Sequence, residues 1–327
     1  MKIYPWLKKT YKEIIYKFKK KNLHHSIIIQ SRINIGSNKL IFLLCKRILC
    51  KKPINFFSCN ICKICKLIDL KNYPEIHIIN PEKKKKFIGI NTILECIQKI
   101  YNTSKFGKKN IIWIPKIHLL TESSVNAFLK ILEDPPINTI FFLNYNNNFK
   151  LKKTLKSRCI IYNLFPPSKK IGLKWLNKKI KKNNKIDILT ALNISENSPI
   201  LAKKIITGKE WVERKNFFKN IKKSIKYKNL FQLIDKFELY TSKKIYWLCS
   251  LILDVIKNYY KKNLDLTNID QIKIIKIIQE RNKIKNLYII INIWMKCFFR
   301  IKKIKKINHK FLIIEPIIYW EKIFNFI

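Results

Sequence analysis

Residues Leu120–Cys159 read LTESSVNAFLKILEDPP followed by INTIFFLNYNNNFKLKKTLKSRC, and this stretch decides the fold. Thr121 has the side chain of a helix cap, and Val125, Phe128, Leu129 and Leu132 then recur on one face at helical spacing. Pro135-Pro136 forbids the helix to continue, because proline has no amide to donate and its ring clashes with the preceding turn. Thr139–Leu143 is a run of the kind found in a strand buried on both faces, and Ser157-Arg158-Cys159 stands just before a second such run, Ile160–Leu164. Arg158 is therefore expected at the mouth of a parallel sheet.

Upstream, three more short apolar runs read as buried strands: Ser26–Gln30, Glu75–Asn80 and Asn110–Ile114. Between them lie a basic helix over residues 10–20 with Ile14, Ile15 and Phe18 on one side, and a helix over Asn38–Cys50 carrying Leu40, Ile41, Leu44 and Ile48 inward. A basic loop, Pro81–Phe87, and a helix over Asn91–Asn102, with Ile93, Leu94, Ile97 and Ile100 on one face, follow. Strands alternating with helices predict an α/β domain with a parallel sheet.

The first strand, turn and helix stand where a phosphate-binding loop would sit. That loop needs G-x-x-x-x-G-K-[ST], so that backbone amides cradle phosphates, the lysine reaches the terminal ones and the hydroxyl holds magnesium. Aligned on Gly36, the chain offers Ser31 for the first glycine, Ser37 for the lysine and Asn38 for the hydroxyl residue. Shifting the frame to use Lys39 loses the glycine and puts Leu40 after the lysine. The loop is degenerate in either frame.

Cys50, Cys59, Cys62 and Cys65 form a second motif. Two successive C-x-x-C turns wrap one tetrahedral ion, and Cys50, ending the preceding helix, supplies a fourth thiolate, which favours a structural zinc. An iron–sulfur cluster is the competing reading, but the ferredoxin pattern needs a fourth cysteine where this chain has Asp69. Cys45, Cys96, Cys159, Cys249 and Cys297 are isolated and read as small apolar fillers. His24, His25, His77 and His118 have no carboxylate or serine at a motif spacing and are read as surface or satisfied histidines.

Of 327 residues, 69 are Lys or Arg and 20 Asp or Glu, for a formal charge of +49, while 47% are apolar. So apolar a chain folds despite its charge, and its length suits two or three domains. The charge fits phosphate backbones, yet the same enrichment in Lys, Ile and Asn follows from drift toward A/T-rich codons. The start of the chain is interrupted by lysines, unlike a secretory signal, and no apolar run approaches the roughly 18 residues of a membrane span. A cytoplasmic protein in a reducing compartment is expected.

The helix with its double-proline stop, the buried strand and Ser157-Arg158-Cys159 resemble the AAA+ module of bacterial clamp loaders. The likeness extends to Tyr4–Leu7 (YPWL), His24–Gln30 (HHSIIIQ), the cysteines at Cys50, Cys59, Cys62 and Cys65 and, more weakly, the C-terminal tail. It implies a doubly wound parallel sheet with a zinc insert, then a helical lid domain and an all-α collar domain. The divisions fall at 1–165, with the zinc module at 50–65, then 166–207 after Pro166-Pro167, and 208–327 from Gly208.

Family ATPases end the third strand in Asp-Glu, one residue serving magnesium and the other activating water. Here Pro115 and Lys116 stand there, and the lid's Gly-Ser-x-Arg is replaced by Asn197-Ser198-Pro199-Ile200, without the sensing arginine. The resemblance thus implies a subunit that binds no ATP, is not catalytic in isolation and belongs to a DNA polymerase holoenzyme. Its implied partners are motor subunits of the gamma/tau type, the delta subunit, transiently the sliding clamp, and primed DNA. It also implies that Arg158, framed by Ser157 and Cys159, is an arginine finger for a neighbour's nucleotide, where the bland reading is an ion pair with a nearby carboxylate. Two alternatives stay open: an ATP-hydrolysing motor of the same loader, and a stand-alone basic zinc-containing nucleic-acid binder. In the tail, Tyr246, Leu253 and Ile256 mark one apolar seam, Leu287, Ile290, Ile291, Trp294 and Phe298 another, and Phe311–Phe324 is rich in apolar residues.

Overall fold

A computed structural model of the chain describes residues 3–82, 85–102, 109–147, 149–180, 184–260, 266–303 and 309–324. Lys83 and Lys84 of the expected basic loop lie outside them. The chain divides into two compact units, Met1–Pro167 and Ser168–Ile327.

The first unit is built on five strands, β1 (Ser26–Ser31), β2 (Ile76–Ile78), β3 (Asn110–Ile114), β4 (Thr139–Asn146) and β5 (Ile160–Leu164). All pair in parallel, in the order β2-β3-β4-β1-β5. Parallel neighbours need crossovers, and helices supply them on both faces: α1 (Lys8–Lys19), α2 (Ser37–Leu49), α3 (Lys63–Asp69), α4 (Ile90–Asn102), α5 (Glu122–Glu133) and α6 (Lys153–Ser157). Because strand side chains alternate, one core takes Ile27, Ile29, Ile111 and Phe142, and the other takes Ile28, Ile112, Phe141 and Leu143. Each core has its own helices, with Leu40, Ile41 and Leu44 of α2 in the first and Val125, Phe128 and Leu132 of α5 in the second. This is the doubly wound parallel sheet expected from the sequence.

α5 forms as its sequence dictates: Thr121 Oγ1 accepts from the Ser124 amide at 3.3 Å, and the helix stops at Glu133, two residues before Pro135. The short helix α3, inside the cysteine segment, was not expected.

Among its described residues the second unit forms helices and no strand, and it carries two apolar cores. α7 (Lys169–Lys179), α8 (Lys185–Ile194) and α9 (Pro199–Thr207) enclose Leu176, Ile188, Leu192 and Ile205 together with Trp211 of α10 (Lys209–Lys226). The larger core gathers Phe217 and Phe218 of α10 with α11 (Thr241–Tyr260), α12 (Ile272–Arg281), α13 (Ile284–Lys303) and α14 (His309–Ile323) around Trp294 and Trp320. Leu287, Ile290 and Trp294 are buried there as expected, but Tyr246 and Leu253 are not: they are 44% and 46% exposed. The buried face of α11 runs instead through Ile245, Leu248, Ile252 and Val255, a continuous stripe that outcompetes the sparser one. No helix among the described residues is long and apolar enough to cross a membrane.

Candidate functional site

Ser157 ends α6, Arg158 is its cap residue, and β5 opens two residues later. Ser26, at the start of β1, donates from Oγ to the Arg158 carbonyl at 2.8 Å, and its Oγ lies 3.5 Å from Cys159 Sγ. Burial pushes the Cys159 thiol up, which disfavours its thiolate. Ser157 Oγ donates to the Thr154 carbonyl at 3.0 Å. The Arg158 side chain is 35% exposed; Nη1 donates to Thr154 O at 3.3 Å and Nη2 to Glu133 Oε1. The carboxylate pairing is thus present, at a surface where such pairs contribute little.

Gly36 stands at the other end of the sheet, beyond Ser31 at the close of β1. With φ of 102° it needs the freedom only glycine has, and it begins α2. The side-chain amide of Asn144, on β4, donates to Ser37 Oγ at 2.9 Å and to Asn38 Oδ1 at 2.6 Å. Trp6 Nε1 donates to the Ile35 carbonyl at 2.9 Å, Trp6 stacks on Tyr4 at 4.9 Å, and the Lys39 ammonium lies 4.2 Å from the Tyr4 ring centre. The polar side chains at the head of α2 therefore bond within the chain. Pro115 and Lys116 follow β3 at this same edge and bring no carboxylate to it. A strand of six residues separates this edge from Arg158, roughly 20 Å. The structure does not bring Gly36 and Arg158 together.

The four cysteines do converge. Cys50 closes α2, Cys62 caps α3, and the four sulfurs lie within 4.8 Å of one another, Cys59 Sγ being 3.5 Å from Cys50 Sγ and 3.9 Å from Cys65 Sγ. Tetrahedral zinc–thiolate bonds of about 2.3 Å place sulfurs about 3.8 Å apart, so the donor set fits such an ion. Backbone amides of Cys59, Cys62 and Cys65 donate to the sulfurs of Cys50, Cys59 and Cys62 at 3.3, 3.4 and 3.4 Å, which favours thiolates. Amides of Cys62 and Ile61 bring Cys59 down to about 6, whereas burial pushes Cys50 and Cys65 up. A cation is what would deprotonate the whole set.

The segment is anchored to its helices. Arg47 donates twice to the Asn55 carbonyl, at 2.9 and 3.3 Å, Tyr11 Oη donates to Phe56 O at 2.8 Å, and buried Lys46 pairs with Asp69 at 2.6 Å. Asp69, in the iron–sulfur cysteine's place, is thus a counter-ion.

In the second unit, Ser198 stands at the head of α9, just before Pro199, so the segment Asn197-Ser198-Pro199-Ile200 begins a helix. Sequence reasoning missed Asn144, which lies in an asparagine-rich run with nothing to single it out. It also missed fully buried Arg214, which donates to Asp270 at 2.6 and 3.0 Å and to Asn268 Oδ1 at 2.7 Å. Here a signal existed, since the chain holds six arginines against sixty-three lysines. An arginine kept in such company marks a place for a planar fork.

Residues 6–168 match the family profile described as DNA polymerase III, delta subunit, and residues 208–322 match the profile for the C-terminal part of that delta subunit. The DNA polymerase III subunit delta' of Buchnera aphidicola from Acyrthosiphon pisum is 41% identical, with all of both chains covered. The protein of that name from Escherichia coli strain K12 is 28% identical over 83% of this chain and 80% of its own. A solved DNA polymerase III gamma subunit-related protein from Thermotoga maritima is a looser likeness, at 16% identity over 97% of this chain and 99% of its own, with a TM-score of 0.43.

Proposed function

The chain belongs to the DNA polymerase III delta-prime family, and from that premise we propose that it is the non-hydrolysing subunit of a clamp loader, lending Arg158 to a neighbour's nucleotide. The observation that carries this reading is the placement of Arg158 at the sheet edge opposite Gly36. In open α/β folds the nucleotide sits at the carboxyl ends of the strands. A guanidinium at the amino ends has no route to its own chain's site, and its partly exposed side chain is open to a nucleotide held by another subunit.

The chain is divided accordingly into an AAA+ domain at 1–165, a lid at 166–207 and a collar at 208–327. It works in the cytoplasm with gamma/tau-type motor subunits and the delta subunit, opening the sliding clamp and loading it on primed DNA. Its passivity is supported by the degenerate loop at Gly36, the Pro115-Lys116 dipeptide and the internal bonding of Ser37 and Asn38. Cys50, Cys59, Cys62 and Cys65 would hold zinc as a structural ion, which would tie the loop after α2 to α3. At the neighbour's nucleotide the planar fork of Arg158 stabilises charge on the transferring phosphoryl group, with Ser157 and Cys159 fixing its backbone.

The test is clamp- and primed-DNA-stimulated ATP hydrolysis by the reconstituted loader, with this chain wild type or Arg158→Ala. Assembly that stays intact with turnover lowered tenfold or more supports the finger. Unchanged turnover makes Arg158 structural. A wild-type chain that neither joins a motor subunit nor alters its ATPase overturns the loader reading and favours a basic nucleic-acid binder acting alone.

A further inference from the structure

We propose that Glu133 is an internal counter-ion for Arg158: it holds the guanidinium against its own subunit until a phosphate of the neighbouring nucleotide displaces it. This rests on the finger reading and adds the residue that regulates it.

Glu133 is the last residue of α5, and Asp134 caps it. Two carboxylates at a helix C-terminus oppose the macrodipole, so the place is poor for acids unless a cation answers them. Acids are also scarce, at 20 against 69 basic residues. The answering cation is Arg158, whose Nη2 donates to Glu133 Oε1 while Nη1 faces Thr154 O at 3.3 Å and Ser157 Oγ at 3.5 Å. Both terminal nitrogens of the fork are therefore engaged inside the subunit.

Consecutive residues at the head of β1 set the separation of the pair. His25 Nε2 donates to the carbonyl of Leu132, next to Glu133, at 3.1 Å. Ser26 Oγ donates to the carbonyl of Arg158 at 2.8 Å. The two backbones are thus fixed by one strand end, and only the side chains are left to exchange partners. The side chains of Arg158 and Glu133 are 35% and 52% exposed, so water competes for the bond and a better anion can replace it. A triphosphate, with more charge and paired oxygens for both nitrogens, is such an anion. The contrast is Arg214 and Asp270, at 0% and 8% exposure, where nothing can reach the pair.

Glu133→Gln keeps the shape of the side chain and removes its charge. In the reconstituted loader without clamp or DNA, it is expected to raise ATP turnover about two- to fivefold, the scale of an exposed charge pair. The rise is expected to vanish when Arg158→Ala is present as well. Unchanged or lowered turnover in Glu133→Gln, with Arg158→Ala still impaired, overturns the counter-ion and leaves the finger standing. A rise that persists in the double variant also overturns it, since the effect then bypasses Arg158. If Arg158→Ala alone has no effect on stimulated turnover, the finger reading itself has failed and this proposal falls with it.

Discussion

Asn144 donates to Ser37 Oγ at 2.9 Å, joining the end of β4 to the helix start where a nucleotide-binding chain would place the lysine that reaches the terminal phosphates. The same amide reaches Asn38 Oδ1 at 2.6 Å. A nucleotide would have to break these bonds and would meet Ser37 where the loop lysine belongs and Asn38 where the magnesium-holding hydroxyl belongs. The isolated chain is expected to show no ATP binding by calorimetry at millimolar nucleotide. Ser37→Lys alone is not expected to restore it, because Pro115 and Lys116 still supply no carboxylate. A wild-type dissociation constant below about 1 mM, or roughly 4 kcal/mol of binding, contradicts the account.

The cysteine cluster makes a separate prediction. Folded chain is expected to carry one zinc, released on thiol modification and read with a colorimetric chelator. Ligands bound a thousandfold above their dissociation constant stabilise by about 4 kcal/mol, so stripping the ion should lower the melting temperature by roughly 10 °C. Cys59→Ser is expected to lose the ion and Cys249→Ala to keep it, since Cys249 is a buried thiol of the second unit, outside the four-cysteine cluster. Equal zinc content in both variants would sink the assignment.

Arg214 and Asp270 anchor a buried network in the second unit. Asn268, bonded to Arg214, also donates from its backbone and side-chain amides to Asp254 at 2.7 and 2.8 Å, and the Arg214 guanidinium lies 4.7 Å from the Phe218 ring centre. Removing one partner strands a charge. Asp270→Ala is expected to cost about 3–5 kcal/mol, or about 10 °C in melting temperature, whereas Lys215→Ala, whose side chain is 48% exposed in its pair with Asp187, costs under about 1 kcal/mol. Similar losses for the two would remove the network's claim.

What was legible in the sequence was whatever local chemistry decides. Pro135-Pro136 stopped α5, unbroken apolar runs gave five strands, and two C-x-x-C turns gave a cluster, because each is settled within a few residues. What depends on distant partners was not legible. Glu133 meets Arg158 across 25 residues and Arg214 meets Asp270 across 56, and no spacing encodes such pairs. Tyr246 and Leu253 misled because two apolar stripes share α11 and only packing selects between them.

The histidines set a final expectation, on pH. His25, His77 and His118 are all held below the ordinary imidazole range, chiefly by burial; Lys99 adds to this at His77 and Lys116 at His118. In each case the folded chain binds a proton less readily than the unfolded chain. Their contribution to stability is therefore complete above about pH 6.5 and is lost as the pH falls from there through the folded values. His77 is the cleanest probe, since its Nε2 is buried on β2 with no hydrogen-bond partner among the described residues. Melting temperatures measured between pH 7.5 and 6.0, where carboxylates stay charged, should fall for the wild-type chain and fall less for His77→Phe. Parallel declines would show that His77 takes up its proton as easily folded as unfolded, and that the partial burial of its ring exerts no control over it.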